Sequence, residues 1–321
     1  MHVAGIDGGG TRTRAVLVDP SGRICSWALG GSGNFQAIGL SGLESLMEEL
    51  LGALEWRGGG DSLAMCLGLA GAGRIDEQEE IADMVRARGW AGRVRVVSDA
   101  RAALEGAHGG RPGLIAISGT GSIVLGKNDV EKECRAGGWG PLLGDEGSGY
   151  CIGLDGLRAV FRARDGWGEE TQLTEDLKEE LEIEHWDEAV RQVYSGTWGR
   201  DRIAALGPRV FAAVRDGDQV AREIIAAAGI ALGGKVGAVA RRLDLPGVVD
   251  LACVGGVLAR EADLLWPYIK RAASGSVESL QRCIPRLPPV LGAALLARLL
   301  AGCGIDEELV ERLATDCPEG L

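Results

Sequence analysis

The chain has 321 residues with 34 Lys and Arg against 46 Asp and Glu, a formal net charge of −12, which excludes the broad basic surface that a grip on nucleic acid or anionic lipid needs. That length suits two lobes of ordinary domain size, each with its own core. The 46% hydrophobic and 25% charged residues are those of a soluble globular protein, and 52 glycines imply frequent turns and close backbone approaches.

The chain opens on a strand that runs into Asp7-Gly8-Gly9-Gly10-Thr11 and out through a second strand, with Thr13, Ala15 and Leu17 on one face and Arg14, Val16 and Val18 on the other. Three glycines free the turn of β-carbons, so the backbone can adopt positive φ and aim N–H groups at an anion. Asp7 at the strand end can hold hydrated Mg²⁺, and the Thr11 hydroxyl can reach a phosphoryl oxygen. A Walker loop would need G-x-x-x-x-G-K-[ST], and a dinucleotide fingerprint a helix after the glycines; neither is present. An ordinary glycine-rich hairpin is the alternative at this point.

A third strand is predicted over 23–28 through the Asp19–Gly22 turn, then a helix over 40–54, a strand over 62–69, a helix over 75–88, a strand over 94–97 ending at Ser98-Asp99, and a short helix over 100–107. The strand, Gly/Thr turn, strand pattern returns at 113–126 around Gly119-Thr120-Gly121, so the second half is expected to repeat the first. Longer helices are predicted over 148–164, 170–181, 202–215 and 218–243. A strand over 248–254 then runs into Gly255-Gly256, and an alanine-rich helix covers the tail from Pro289 to Gly302.

Eight cysteines without a C-x-x-C pair and only three histidines argue against structural zinc, and the cysteines read as small buried hydrophobes. The N-terminus lacks a basic stretch with an apolar h-region, and no apolar run reaches membrane-span length without Gly or Arg, so a cytoplasmic protein with reduced thiols and no membrane partner is expected.

Asp99 stands where a strand ends and a helix begins, the position of ligands in α/β sheets. It suits a general base that accepts a hydroxyl proton, and it equally suits an N-cap. Asp145 and Glu146 precede the helix near 148, whose dipole would keep a carboxylate ionised. Trp139 could cover an apolar sugar face or staple its loop, and Asn34 could fix an Asx turn or bind hydroxyls.

Together, G-I-D-G-G-G-T-R-T at 5–13, S-G-N at 32–34, L-A-G-A-G at 69–73, S-D-A at 98–100, I-S-G-T-G-S at 117–122 and G-G-W-G-P-L-L-G-D-E-G-S-G-Y at 137–150 resemble the sugar kinase, Hsp70 and actin ATPase superfamily. Within it the chain resembles the N-acetylglucosamine kinase branch, grouped with BadF/BadG/BcrA/BcrD ATPases. The resemblance implies an α/β fold of two duplicated actin-like (ribonuclease H-like) lobes with mixed sheets and a nucleotide cleft between them: an N-terminal lobe over 1–109, a larger C-terminal lobe over 110–288, and terminal helices over 289–321 returning to the first. The implied protein is a homodimeric kinase that moves the γ-phosphoryl of ATP, with Mg²⁺, to the 6-hydroxyl of N-acetylglucosamine or glucosamine, its lobes closing over both substrates.

The resemblance assigns Gly8, Gly9, Gly10, Thr11, Thr120, Gly121, Gly255 and Gly256 to ATP. Asp7 goes to Mg²⁺ through water, and Asn34, Asp99, Ser122, Gly138, Trp139, Asp145 and Glu146 to the sugar, with Asp99 as the base. Ile123 borders the sugar pocket and stands where some animal relatives carry a polar residue, which leaves the acetyl pocket open. The alternative is a BadF-type ATPase activator of a dehydratase or reductase, carrying an iron–sulfur cluster at a dimer interface. The other rivals are a chaperone- or actin-like nucleotide switch, and a ROK kinase, whose cysteine-rich zinc motif is missing.

Overall fold

The computed structural model describes residues 1–321. In chain order the elements are β1 (His2–Gly8), β2 (Thr13–Val18), β3 (Ile24–Gly30), α1 (Phe35–Ala53), β4 (Leu63–Leu69), α2 (Ile75–Ala87), β5 (Arg93–Ser98), α3 (Asp99–His108), β6 (Gly113–Ser118), β7 (Ser122–Lys127), β8 (Glu133–Gly137) and α4 (Gly149–Arg164). They continue as α5 (Leu173–Leu181), α6 (Trp186–Tyr194), α7 (Arg200–Ala204), α8 (Gly207–Asp216), α9 (Gln219–Leu243), β9 (Val248–Val254), α10 (Gly256–Ala273), β10 (Ser279–Cys283), α11 (Pro289–Leu300) and α12 (Glu307–Thr315).

Two compact units result, Met1–Pro112 with Ile284–Leu321, and Gly113–Cys283. The first has the sheet β3-β2-β1-β4-β5 and the second β10-β9-β6-β7-β8. Read from its other edge, the second is a three-stranded antiparallel meander followed by two parallel strands, as is the first. The duplication expected from the two Gly/Thr turns is therefore a duplication of sheet topology.

The alternation in β2 separates two cores. Ala15 and Leu17 pack with Leu43, Met47 and Leu50 of α1 and Ile81 and Val85 of α2. Val16 and Val18 point the other way, into Val290, Leu291 and Ala294 of α11 and Leu309 of α12. Where α11 crosses α3 the contact is between backbones, because a β-carbon on Gly292 would strike the Ala102 carbonyl and lie 2.9 Å from the Gly106 Cα. Neither atom can yield as a side-chain tip would, so Gly292→Ala is expected to cost about 3 kcal/mol, the upper end of core overpacking, measured as a drop in urea midpoint at unchanged m-value.

Several elements escape a reading from periodicity. β8 and β10 bury chiefly Cys134 and Leu280 respectively, so these edge strands look polar. α10 spaces its buried Leu258, Leu265, Ile269 and Ala273 around Pro267, a residue that reads as a helix stop. The helix predicted over 202–215 is two, because Pro208 lacks an N–H and starts α8 afresh after the break at Ala205–Leu206. α6 lies where no element is predicted, and α12 falls within the terminal helices expected over 289–321. α9 is long and apolar enough to cross a membrane by length and composition, and its Ile225, Leu232, Val236 and Val239 are buried in the core of the second unit.

Candidate functional site

In the first unit, the ends of β1, β3, β4 and β5 bring four of the sequence motifs together. Gly9 N–H donates to the Arg12 carbonyl at 3.0 Å and Gly33 N–H to the Gly9 carbonyl at 2.9 Å, while Ala70 N–H donates to the Gly8 carbonyl at 2.8 Å. These bonds dock the 31–34 loop and the 69–73 turn onto the hairpin. A β-carbon on Gly8 would lie 3.2 Å from the Gly33 Cα, and one on Gly33 only 2.6 Å from the Gly8 Cα.

Positive φ is expected at the glycine run, yet none of Gly8, Gly9 and Gly10 adopts it. They are needed for close approach and for an open surface: nothing would touch a β-carbon on Gly10. Gly9 N–H is bonded inside the turn, and Gly10 and Thr11 are exposed.

Asp7 stands opposite Arg14 in the β1–β2 register, its carboxylate 3.7 Å from the guanidinium. Burial pushes its carboxyl up to about 6, Arg14 opposes that rise, and the neighbouring Asp99 carboxylate adds to it. Asp99 is also raised above the ordinary carboxylate range by burial. It is not the N-cap of α3: Ser98 accepts the Arg101 N–H at 3.2 Å, and Asp99 Oδ1 accepts the adjacent Ala100 N–H at 2.9 Å. The capping explanation for this aspartate therefore falls to its neighbour. Asn34 does cap, its Oδ1 accepting Gln36 N–H at 3.1 Å at the head of α1, which leaves its amide N–H groups as the part available to a ligand.

The carboxylates gathered here suit a hard cation with oxygen ligands. No three His, Cys, Asp or Glu side chains converge on one point, so the protein provides no closed metal cage. A partly buried carboxylate is what a Mg²⁺ held mainly by water and phosphate oxygens requires, and Asp7 fits that part.

In the second unit, Gly119-Thr120-Gly121 joins β6 to β7. Gly149 N–H at the head of α4 donates to the Gly119 carbonyl at 2.7 Å. Gly255 takes φ 87°, and a β-carbon there would strike the Ser118 carbonyl, so β9 can enter α10 only through glycine. The turn and Gly256 form the polar end of a cavity of about 320 Å³ whose apolar wall includes Ala204, Pro208 and Phe211, with Arg260 and Glu261 at its side. Such a wall suits a flat heterocycle, and a glycine turn suits an anionic group.

The 137–150 loop returns beside that turn. Asp145 is buried at φ 63°; its Oδ1 accepts Ser122 N–H at 3.2 Å and its Oδ2 meets Arg200 Nη2 at 2.6 Å. Asp145 thus has a direct cation partner, and Ser148 is the cap of α4. Glu146 pairs with Lys235 at 2.9 Å, which holds its carboxyl below the usual range. Ser122, expected on the sugar, donates its hydroxyl to the Glu146 carbonyl at 2.8 Å and accepts from Lys235 Nζ at 3.0 Å. Gly138 has φ 72°, and a β-carbon on it would meet Ile123 Cδ1 at 2.9 Å. Trp139 is 62% exposed with the Arg135 guanidinium 4.3 Å from its ring centre, so an open aromatic face is held by a cation–π contact. Arg14, Arg200, Asp201 and Lys235 carry no motif that a single sequence reveals.

A duplicated sheet with a Gly/Thr turn closing each first hairpin defines the actin-like ATPase fold. A family description, the BadF/BadG/BcrA/BcrD ATPase family, matches residues 4–297. The N-acetylmuramic acid/N-acetylglucosamine kinase of Clostridium acetobutylicum is 32% identical, with 92% of this chain and 98% of that protein covered. The N-acetyl-D-glucosamine kinase of Dictyostelium discoideum is 31% identical over 91% and 96%. A solved structure from Chromobacterium violaceum superposes with a TM-score of 0.70 at 26% identity, over 92% of this chain and 98% of that one. The chain belongs to the BadF/BadG/BcrA/BcrD ATPase family.

Proposed function

We propose that the protein is an ATP-dependent amino-sugar kinase that phosphorylates the 6-hydroxyl of N-acetylglucosamine, with glucosamine as the other candidate acceptor. The observation that carries this reading is the pair Asp7 and Asp99, two partly buried carboxylates near enough to repel, beside the exposed Gly10 and Thr11. A phosphotransferase to an alcohol needs both: a carboxylate for the cation that accompanies ATP, and a carboxylate that orients the hydroxyl and takes its proton. Mg²⁺ held at Asp7 through water would neutralise charge on the transferring phosphoryl group.

Thr11, Thr120, Gly121 and the Gly255–Gly256 turn are assigned to the nucleotide. Asn34, Asp99, Gly138, Trp139 and Asp145 are assigned to the sugar, with Glu146 and Ser122 supporting the loop. A carboxylate whose oxygens are already oriented by N–H donors accepts only further donors, which suits sugar hydroxyls. A cytoplasmic homodimer is the working form we propose.

The test is ADP release with Mg-ATP against N-acetylglucosamine, glucosamine, N-acetylmannosamine and glucose. Stimulation by an N-acetylated or free hexosamine well above glucose is expected. Turnover that no sugar raises, or a bound iron–sulfur cluster in anaerobically purified protein, would overturn the reading.

A further inference from the structure

Two adjacent side chains of α7 reach into two different parts of the second unit. Arg200 pairs with Asp145 through Nη2 and Oδ2 at 2.6 Å, and Asp201 Oδ1 accepts the Thr120 hydroxyl at 3.1 Å. The first contact fixes the loop assigned to the sugar and the second the turn assigned to phosphate. The first runs close beside the turn, since a β-carbon on Gly121 would stand 3.0 Å from Arg200 Nη2 and 3.1 Å from Asp145 Oδ2. A side chain at Gly121 would press on that ion pair. Ala204, one turn further along the same helix, lines the nucleotide cavity with Asp201.

We propose that α7 is a positioning element for both substrates, in which Arg200 sets the sugar-binding carboxylate of Asp145 and Asp201 sets Thr120 for the nucleotide; this rests on the amino-sugar kinase reading. Asp145 is a non-glycine residue at φ 63°, a conformation that must be held from outside. Only two groups hold its carboxylate, Ser122 N–H and Arg200. Arg200 is 43% exposed at its side chain against 4% for Asp145. The cation can therefore be replaced from solvent, whereas the carboxylate keeps its remaining lone pairs for whatever enters the site. Thr120 has the converse arrangement: with its hydroxyl proton directed to Asp201, the hydroxyl and the turn it belongs to are fixed in orientation before the nucleotide arrives.

Steady-state kinetics of the full chain test this through how the two Michaelis constants split. Arg200→Ala is expected to raise the KM for N-acetylglucosamine about 10- to 100-fold, the effect of removing a charged hydrogen-bond partner, with the KM for ATP nearly unchanged. Added guanidinium should recover part of the loss, and Arg200→Lys should fall between. Asp201→Ala is expected to raise the KM for ATP about 3- to 10-fold and leave that for the sugar alone.

If either substitution raises both constants together, or if guanidinium and lysine restore nothing, α7 is merely structural and the proposal is overturned. Unchanged constants overturn it too. Asp145→Asn separates the layers. Should it leave the sugar KM intact in an enzyme that still phosphorylates amino sugars, the positioning proposal fails and the kinase reading stands. Should the unsubstituted chain phosphorylate no amino sugar, it is the kinase reading that fails, before any variant is made.

Discussion

Asp99→Asn should lose about 10²- to 10⁴-fold in kcat while binding both substrates nearly as before, the range that a general base contributes. The substitution is nearly isosteric, and α3 keeps its start because Ser98, not Asp99, caps it. Circular dichroism and the thermal midpoint should therefore barely move. Burial raises the Asp99 carboxyl above the ordinary carboxylate range, and a base works only when ionised. The acid limb of kcat/KM should accordingly sit at higher pH than an ordinary carboxylate would place it, with activity lost as pH falls through that raised value. In Asp99→Asn the residual rate should no longer follow that limb. A stimulated rate left intact in the variant would remove Asp99 from the chemistry and leave it a buried acid at a strand end.

The sheets were largely legible because strand alternation and glycine turns are local properties. In β2, the period of two assigns Ala15 and Leu17 to one core and Val16 and Val18 to another, and this needs no knowledge of the partners. The motifs at 7–11, 32–34, 69–73 and 98–100 were visible as separate pieces. What joins them is a set of backbone bonds between residues far apart in sequence, such as Phe35 N–H to the Ala70 carbonyl at 2.9 Å, and no local pattern encodes these.

The same limit hid Arg200. Nothing in Trp198-Gly199-Arg200-Asp201 signals that one side chain will neutralise Asp145, 55 positions earlier, and the next will hold Thr120. Sequence reasoning also misattributed a cause where a generic device offered itself. Positive φ was the expected use of the glycine run, whereas a close approach of two loops is the operative cause.

Asp7→Asn is expected to act on stability and activity in opposite directions. The Asp7 carboxyl lies at about 6 in the fold against an ordinary 3.8, so the folded chain holds a proton that the unfolded chain has released. Below the ordinary value both states are protonated and burial of the acid carries no charge penalty. As pH rises from there to about 6 the unfolded state ionises freely while the native state resists, so stability falls across that window and stays low above it. At about 1.4 kcal/mol per unit, the buried carboxylate costs about 3 kcal/mol at neutral pH in the absence of a cation.

Asparagine removes that cost and forfeits the weak 3.7 Å pairing with Arg14, so the variant should be about 1 to 3 kcal/mol more stable at pH 7. Its advantage should shrink toward zero near pH 4. Thermal unfolding at the two pH values in chelator checks this; an Asp7→Asn protein less stable than the parent by the same amount at both would refute it.

Adding Mg-ATP should reverse the order, because a ligand that binds only the native state stabilises in proportion to its affinity and the neutral amide of the variant offers the cation no charge. The parent would then gain in midpoint where the variant gains little, and turnover in the variant would fall with it. On the proposed reading the electrostatic cost at Asp7 would have a use: a cation arriving with the nucleotide would relieve the unfavourable, partly buried carboxylate beside the glycine turn.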